Sequence, residues 1–367
     1  MDYTIKTRNQ LIVLCKQHNI KGYSSKKKQS IIELLNANSY NTINTINTIS
    51  TINTKIEQII PKIRIVSLFA GCGGLDSGFI NNDKYTHVLV NDFDADSCKT
   101  YENNFKIKPN CCDIKKLVDI PDCDLLIGGF PCQGFSMANP YRTEKDKRNE
   151  LYLEILRILK EKKPKYFMLE NVKGLLNMGG YDSKRDNKNR TGKIMKVILE
   201  DLANCGYKVS FKLFEIKYYD VPQKRERVLI IGVRNDIDFV AIWPIPKKNT
   251  ITLKESIGDL PVEYDESIQH IGTKHKCAVT GFLGNRELKW DEPSPTITGR
   301  GGGSGGPVIH NHPSLIRRLT VRECARIQTF PDNFRFHGSV SSMYRQIGNA
   351  VPYRFSEYLA IIFQDAP

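Results

Sequence analysis

The sequence predicts an α/β protein with a doubly wound, mostly parallel sheet, a smaller second domain and a short helical module ahead of both. Three observations predict it. Apolar runs at 64–69, 86–90, 124–129, 166–169 and 228–233 alternate with helical stretches, notably Glu150 to Lys162 and Gly192 to Cys205. Glycines or acidic residues follow several of these runs, at what would be the ligand-binding carboxyl edge of such a sheet. From about residue 242 to 335 the rhythm breaks and prolines, glycines and histidines accumulate, which suggests an inserted domain.

The chain has 367 residues, 40% of them hydrophobic, enough for a sizeable core. Lys plus Arg number 54 against 40 Asp plus Glu, a formal charge of +14. That surplus favours a polyanionic partner, nucleic acid first. No run of 18 apolar residues and no secretory leader pattern is present, so an intracellular protein without a membrane partner is expected. The ten cysteines form no Cys-x-x-Cys pair and no zinc-like spacing. No metal is therefore expected, and free thiols fit a reducing compartment.

Residues 1–38 read as a compact basic module. Thr7 to Cys15 predicts one helix, Gly22 a turn, and Gln29 to Leu35 a second helix opened by Ser25. The stretch Lys21-Gly-Tyr-Ser-Ser-Lys-Lys-Lys28 between them resembles a SAP domain, a small DNA-binding module. The resemblance implies phosphate contact through Lys26, Lys27 and Lys28. Residues 39–60, with Asn-Thr-Ile repeated, predict a low-complexity linker. Units of three residues cannot bury a face, so a solenoid is excluded.

The first strand runs into Phe69-Ala70-Gly71-Cys72-Gly73-Gly74, and Leu75 starts a helix. Glycines let backbone approach a ligand closely. The spacing is not G-x-G-x-x-G, and no P-loop Gly-Lys-Ser/Thr follows. Asp92, before Phe93, ends the second strand, where a carboxylate can accept both hydroxyls of a ribose. Asp113, before Ile114, could accept from an adenine amino group. Ribose and adenine without a pyrophosphate site suggest S-adenosylmethionine, with S-adenosylhomocysteine as product, rather than NAD.

Cys132, in Phe130-Pro131-Cys132-Gln133-Gly134-Phe135, follows a predicted buried strand, which makes it a candidate nucleophile. A small buried apolar role is the alternative. Six motifs then occur in order: Phe69-Ala-Gly-Cys-Gly-Gly, Gly129-Phe-Pro-Cys-Gln, Glu170-Asn-Val, Gln223-Lys-Arg-Glu-Arg, Arg322-Glu-Cys-Ala-Arg and Gln346-Ile-Gly-Asn-Ala-Val. Together, over about residues 62–364, they resemble the motif set of C5-cytosine DNA methyltransferases.

The chemistry explains these residue types. Carbon 5 of cytosine is a poor nucleophile until a thiolate adds at carbon 6, the role the resemblance gives Cys132. Glu170 fits the acid that protonates N3. By resemblance, Arg225 and Arg227 hold the ring carbonyl and the catalytic groups. The target base must leave the duplex, and the polar stretch from Pro131 to Arg148 suits a closing loop.

The resemblance places Gln133 and Ser136 near DNA, and Arg148 near a phosphate or Cys132. It places Phe69, Ala70, Gly71, Gly73, Gly74, Leu75, Phe93, Ile114, Pro131, Leu151, Asn349 and Val351 at the cofactor. Thr296, Thr298, Arg300, Gly302 and Gly303 look like a target-recognition core, with His310 and His312 as further candidates for DNA contact. The domain expectation is catalysis and cofactor in 61–241, target recognition in 242–335, and a returning segment in 336–367. Double-stranded DNA is the expected partner, met by a monomer, with room for a cognate restriction endonuclease.

Three rivals stand beside this reading. An amino-methyltransferase would need Asn-Pro-Pro-Tyr, and Asn139-Pro140-Tyr141 lacks the second proline. A tRNA-cytosine methyltransferase of the same fold usually shows Pro-Pro-Cys-Gln, whereas Phe130 stands before Pro131 here. A non-catalytic DNA-binding relative would need a defect that no reacting residue type displays.

Overall fold

The structure, a computed structural model, describes residues 3–4, 6–23, 26–37, 61–130, 150–273, 288–299, 310–314 and 317–367. The chain divides into two compact units, Met1–Pro61 and Lys62–Pro367. In the first, helix α1 (Arg8–Gln17) begins with a capping box in which Thr7 and Gln10 satisfy each other's backbone N–H groups. A second helix, α2, covers residues 28–37. Leu11 and Cys15 pack against Ile31, Ile32 and Leu35, and Gly22 turns the chain between the helices at φ 78°.

The second unit holds strand β1 (Ile63–Leu68), helix α3 (Ser77–Ile80), β2 (Tyr85–Asp92), α4 (Ala95–Phe105), β3 (Asn110–Cys111) and β4 (Leu125–Gly128). Then come α5 (Glu150–Lys162), β5 (Tyr166–Val172), α6 (Lys184–Asn189), α7 (Lys193–Asn204), β6 (Tyr207–Glu215), β7 (Gln223–Lys224) and β8 (Glu226–Arg234). The last part contains α8 (Leu253–Ile257), β9 (Ser294–Pro295), α9 (Val321–Ile327), α10 (Val340–Asn349) and α11 (Tyr353–Ala360).

Seven strands form one sheet in the order β3-β2-β1-β4-β5-β8-β6. Pairing is parallel from β3 through β5, and β8 runs antiparallel to both its neighbours. β6 was not anticipated; Tyr207, Val209, Phe211 and Leu213 alternate there with more polar residues. The order reverses between β1 and β4, so their carboxyl ends open the crevice where such sheets bind ligands. β4 is buried throughout, which explains its unbroken apolar run.

Two apolar layers cover the sheet. One joins Val66, Leu126, Ile155, Leu159, Phe167 and Ile198. The other joins Ile65, Ile127, Met168, Ile231, Phe355 and Leu359. A third cluster combines Leu253, Ile297, Leu319 and Phe330 with Tyr344 and Ile347 of α10. α10 thus shares a core with the preceding region, while α11 packs under the sheet. α11 also lies directly on α3: the N–H of Gly78 donates to Ser356 Oγ at 2.9 Å, and a Cβ at Gly78 would stand 2.3 Å from the Ser356 backbone.

Candidate active site

The turn after β1 is held in left-handed conformations at Phe69 (φ 55°), Gly71 (φ 56°) and Gly73 (φ 91°). For a bulky residue such as Phe69 this is costly, about 1–3 kcal/mol, and such strain concentrates at ligand sites. Gly73 has no alternative, because a Cβ would meet the Phe105 ring at 2.3 Å. Gly74 lies against Val351, whose carbonyl would stand 2.3 Å from an added Cβ. Ala70 and Leu75 are buried.

Asp92, at the end of β2, supports this turn. Its Oδ2 accepts from the Gly71 N–H at 2.8 Å and its Oδ1 from the Asp94 N–H at 2.8 Å. Burial pushes its carboxyl up from the ordinary value, and those N–H groups oppose the rise. Each oxygen keeps a lone pair for a ligand hydroxyl. Beside it the Phe93 side chain is 75% exposed, an apolar ring left at a strand end, suited to stacking on a flat base. Asp113 Oδ1 accepts from the Lys115 N–H at 3.0 Å. Ile114 is buried in the layer against which Phe69 and Leu151 also pack. The features match an adenosine-bearing ligand without a pyrophosphate. Among the described residues, no group of three or more His, Cys, Asp or Glu is arranged to hold a metal ion.

The second half of the crevice lies at the ends of β4 and β5. Glu170 pairs with Arg227, Oε1 to Nε 2.6 Å, both side chains being mostly enclosed. A Cβ on Gly129 would come within 3.1 Å of Glu170 Oε2, so the glycine leaves room for the carboxylate. Asn171 Nδ2 donates to the Phe130 carbonyl at 3.0 Å. This holds the chain just before Pro131 and Cys132.

Arg225 is placed differently from the sequence expectation. It is 1% exposed. Its Nη1 donates to Ile297 O at 2.8 Å, and its Nη2 to Gly348 O and Ala350 O, each at 3.0 Å. Burial, with nearby Arg227, pushes the guanidinium well below its ordinary value, and Glu170 opposes this. Both Nη groups are taken up by backbone carbonyls, so the side chain joins three segments beside the site.

The same junction contains Gln223 and Gln328, both fully buried. Gln328 was not anticipated; its sequence neighbourhood carries no signal of its partners. Thr298 and Gly299 cross Gly348 and Asn349 so closely that a Cβ on Gly348 would stand 2.2 Å from the Thr298 carbonyl. Asn349 itself is exposed, and Val351 is buried.

Thr296 Oγ1 donates to Lys224 O at 2.9 Å. His310 Nε2 lies 3.3 Å from Thr296 O. His312 turns inward: its Nδ1 accepts from the Ser314 N–H at 3.2 Å and its Nε2 faces Glu323 at 3.7 Å. That removes His312 from the candidates for DNA contact. In the first unit Lys26, Lys27 and Lys28 are exposed, and Lys28 Nζ donates to Thr4 O at 2.8 Å. Pro131, Cys132, Gln133, Ser136, Arg148, Arg300, Gly302 and Gly303 lie outside the described residues.

The sheet order and the crevice at its reversal define a doubly wound α/β fold with a ligand site at the strand ends. Solved structures share the fold: Schizosaccharomyces pombe Dnmt2 methyltransferase superposes with a TM-score of 0.59 at 20% identity, over 83% of this chain and 99% of that one. The Entamoeba histolytica methyltransferase EhMeth gives 0.59 at 18%, over 83% and 98%. In sequence, the Type II methyltransferase M.BsuRI of Bacillus subtilis is 35% identical over 83% of this chain and 80% of its own length. M.NgoFVII of Neisseria gonorrhoeae is 37% identical over 79% and 83%. The family model for C-5 cytosine-specific DNA methylases matches residues 63–361. The chain belongs to that family, and its enzyme class is that of the DNA cytosine-5 methyltransferases, which use S-adenosylmethionine.

Proposed function

We propose that this enzyme methylates carbon 5 of a cytosine extruded from a short, specific duplex-DNA sequence, through a temporary bond from Cys132. The observation that carries the reading is the junction of β4 and β5. Asn171 fixes the chain entering Pro131-Cys132, and the Glu170–Arg227 pair stands beside Gly129.

In this reading Phe69, Ala70, Gly71, Gly73, Gly74 and Leu75 would line the cofactor, Asp92 its ribose, and Phe93, Asp113 and Ile114 its adenine. Pro131, Leu151, Asn349 and Val351 would close the remainder. When bound there, S-adenosylmethionine supplies an electrophilic methyl group and leaves as S-adenosylhomocysteine. No residue role needs a metal.

Cys132 as thiolate adds to carbon 6 of the base, and its electron pair makes carbon 5 nucleophilic. Glu170 holds a proton at N3, relieving charge on the ring. Arg227 orients Glu170, and Arg225 positions Arg227 by fixing the chain that enters β8. Loss of the carbon 5 proton to water then breaks the sulfur–carbon bond and frees the thiolate. Gln133, Ser136 and Arg148 would close over the extruded base. Thr296, Thr298, Arg300, Gly302 and Gly303 would read the target. The exposed Lys26, Lys27 and Lys28 give the SAP-like module a phosphate-facing edge. We place the enzyme inside the cell as a monomer on DNA, with room for a cognate endonuclease. No helix among the described residues is long and apolar enough to cross a membrane.

Bisulfite sequencing of DNA from cells expressing the chain tests the reading, with Cys132→Ala alongside. The intact enzyme should protect cytosines at one short sequence, and the variant none. Protection by the variant, or its absence with the folded intact enzyme, would overturn it.

A further inference from the structure

Between β5 and α7 the chain makes a basic excursion to which no role above has been given. Residues 173–196 carry seven Lys or Arg and two Asp, a net charge of +5. The base of the excursion is pinched shut. Gly192 N donates to Leu176 O at 2.8 Å, Lys193 N to Gly180 O at 3.0 Å and Ile194 N to Met178 O at 3.2 Å. Only glycine fits at 192, since a Cβ would stand 2.8 Å from Leu176 O.

Beyond that base, Ser183 caps α6 by accepting from the Asp186 N–H at 3.1 Å, and Arg190 ends it in the left-handed region at φ 55°. α6 buries no residue, so it adds nothing to the core. The two acids are taken up near the base: Asp182 by Lys193 at 3.4 Å and Lys196 at 3.2 Å, and Asp186 by Lys196 at 2.8 Å. Lys184, Arg185, Lys188 and Arg190 are exposed, and among the described residues none has an ion-pair partner. The excursion starts at Lys173, immediately after the carboxyl end of β5, the edge that holds Glu170.

We infer that α6 is a second DNA-gripping element, in which Lys184, Arg185, Lys188 and Arg190 contact duplex phosphates beside the target without reading bases. It deepens the DNA reading above and rests on it. Neutralising each phosphate releases counterions and adds about 0.9 to the slope of log K against log salt. The capped turn fixes the backbone that carries the four cations, and the lysines at the base keep the neighbouring acids from cancelling them.

The test compares the intact enzyme with the quadruple variant Lys184→Ser, Arg185→Ser, Lys188→Ser, Arg190→Ser. Affinity for duplex DNA is measured between roughly 50 and 200 mM salt, a range over which phosphate contacts dominate. The variant should show a slope shallower by at least about 1, equal losses on duplexes with and without the target, and an unchanged kcat at saturating DNA. Its melting temperature should not move. A slope change under about 1, a loss confined to the target sequence, or a loss seen only with RNA duplexes would overturn the inference. If the intact enzyme methylates cytosine while the slope stays put, this inference alone falls. If it methylates none, the functional reading falls first.

Discussion

The side-chain amides of Gln223 and Gln328 meet in the buried interior, Nε2 to Oε1 2.8 Å. Gln223 Oε1 also accepts from the Ile297 N–H at 2.9 Å. Gln328 Nε2 donates to Ile347 O at 2.6 Å and Ala350 O at 3.2 Å. Arg225 spans the same gap from Ile297 to Gly348 and Ala350. The segment that enters the proposed DNA-reading loop is thereby tied to the one that backs the glycine turn.

Gln328→Leu should break this tie. It strands the Gln223 Nε2 donor and the Ile347 carbonyl, so a loss of about 2–4 kcal/mol in unfolding free energy is expected. The second consequence is functional. The ratio of S-adenosylhomocysteine affinities with and without target DNA should shrink toward one, because the bridge joins the two proposed sites. Calorimetric titration in both states reads the ratio. An unaltered ratio in a destabilised protein would reduce the bridge to packing.

Glu170 and Arg227 should behave as one unit. Glu170→Gln and Arg227→Ala are each expected to lower kcat by about 10²–10⁴, with duplex affinity nearly unchanged. The double variant should be little slower than the slower single one. Single-turnover methyl transfer with all three variants checks it, and multiplicative losses would show that the two residues act separately.

Burial pushes His270, His310 and His312 below the ordinary histidine value. At His270 and His312 the Glu323 carboxylate opposes the shift and Arg317 adds to it. The unfolded chain protonates its histidines near pH 6.5, where the folded one still keeps these three neutral. Their contribution is complete above that pH and drains as pH falls toward the lower folded values, by about 1.4 kcal/mol per unit for each proton of difference. Urea midpoints should therefore drop between pH 7.5 and 5.5. A level or rising midpoint would contradict the burial argument.

Much of the sheet was legible in the sequence. β4 and β5 read as apolar runs because both are covered on two faces, and α5 spans the residues its periodicity indicated. β6 escaped because Lys208, Ser210 and Lys212 interrupt it, as befits an edge strand with partial exposure. The antiparallel setting of β8 is a property of its partners, not of its own residues. The Glu170 position was legible from its place after an apolar run. The burial of Arg225 was not, since its acceptors lie 72 to 125 positions away. His312 followed the same pattern, its direction being set by Glu323.

The contact between Gly78 and Ser356 spans 278 positions, which gives the enzyme a built-in delay at birth. At ordinary translation rates of about 5–20 residues per second, α11 emerges roughly 15–55 s after α3. Until then the underside of the first strands stays uncovered and the glycine turn lacks its backing. A polypeptide arrested short of α11 is left with the early motifs and no finished cradle, so this helix has to be made before the glycine turn gains its support.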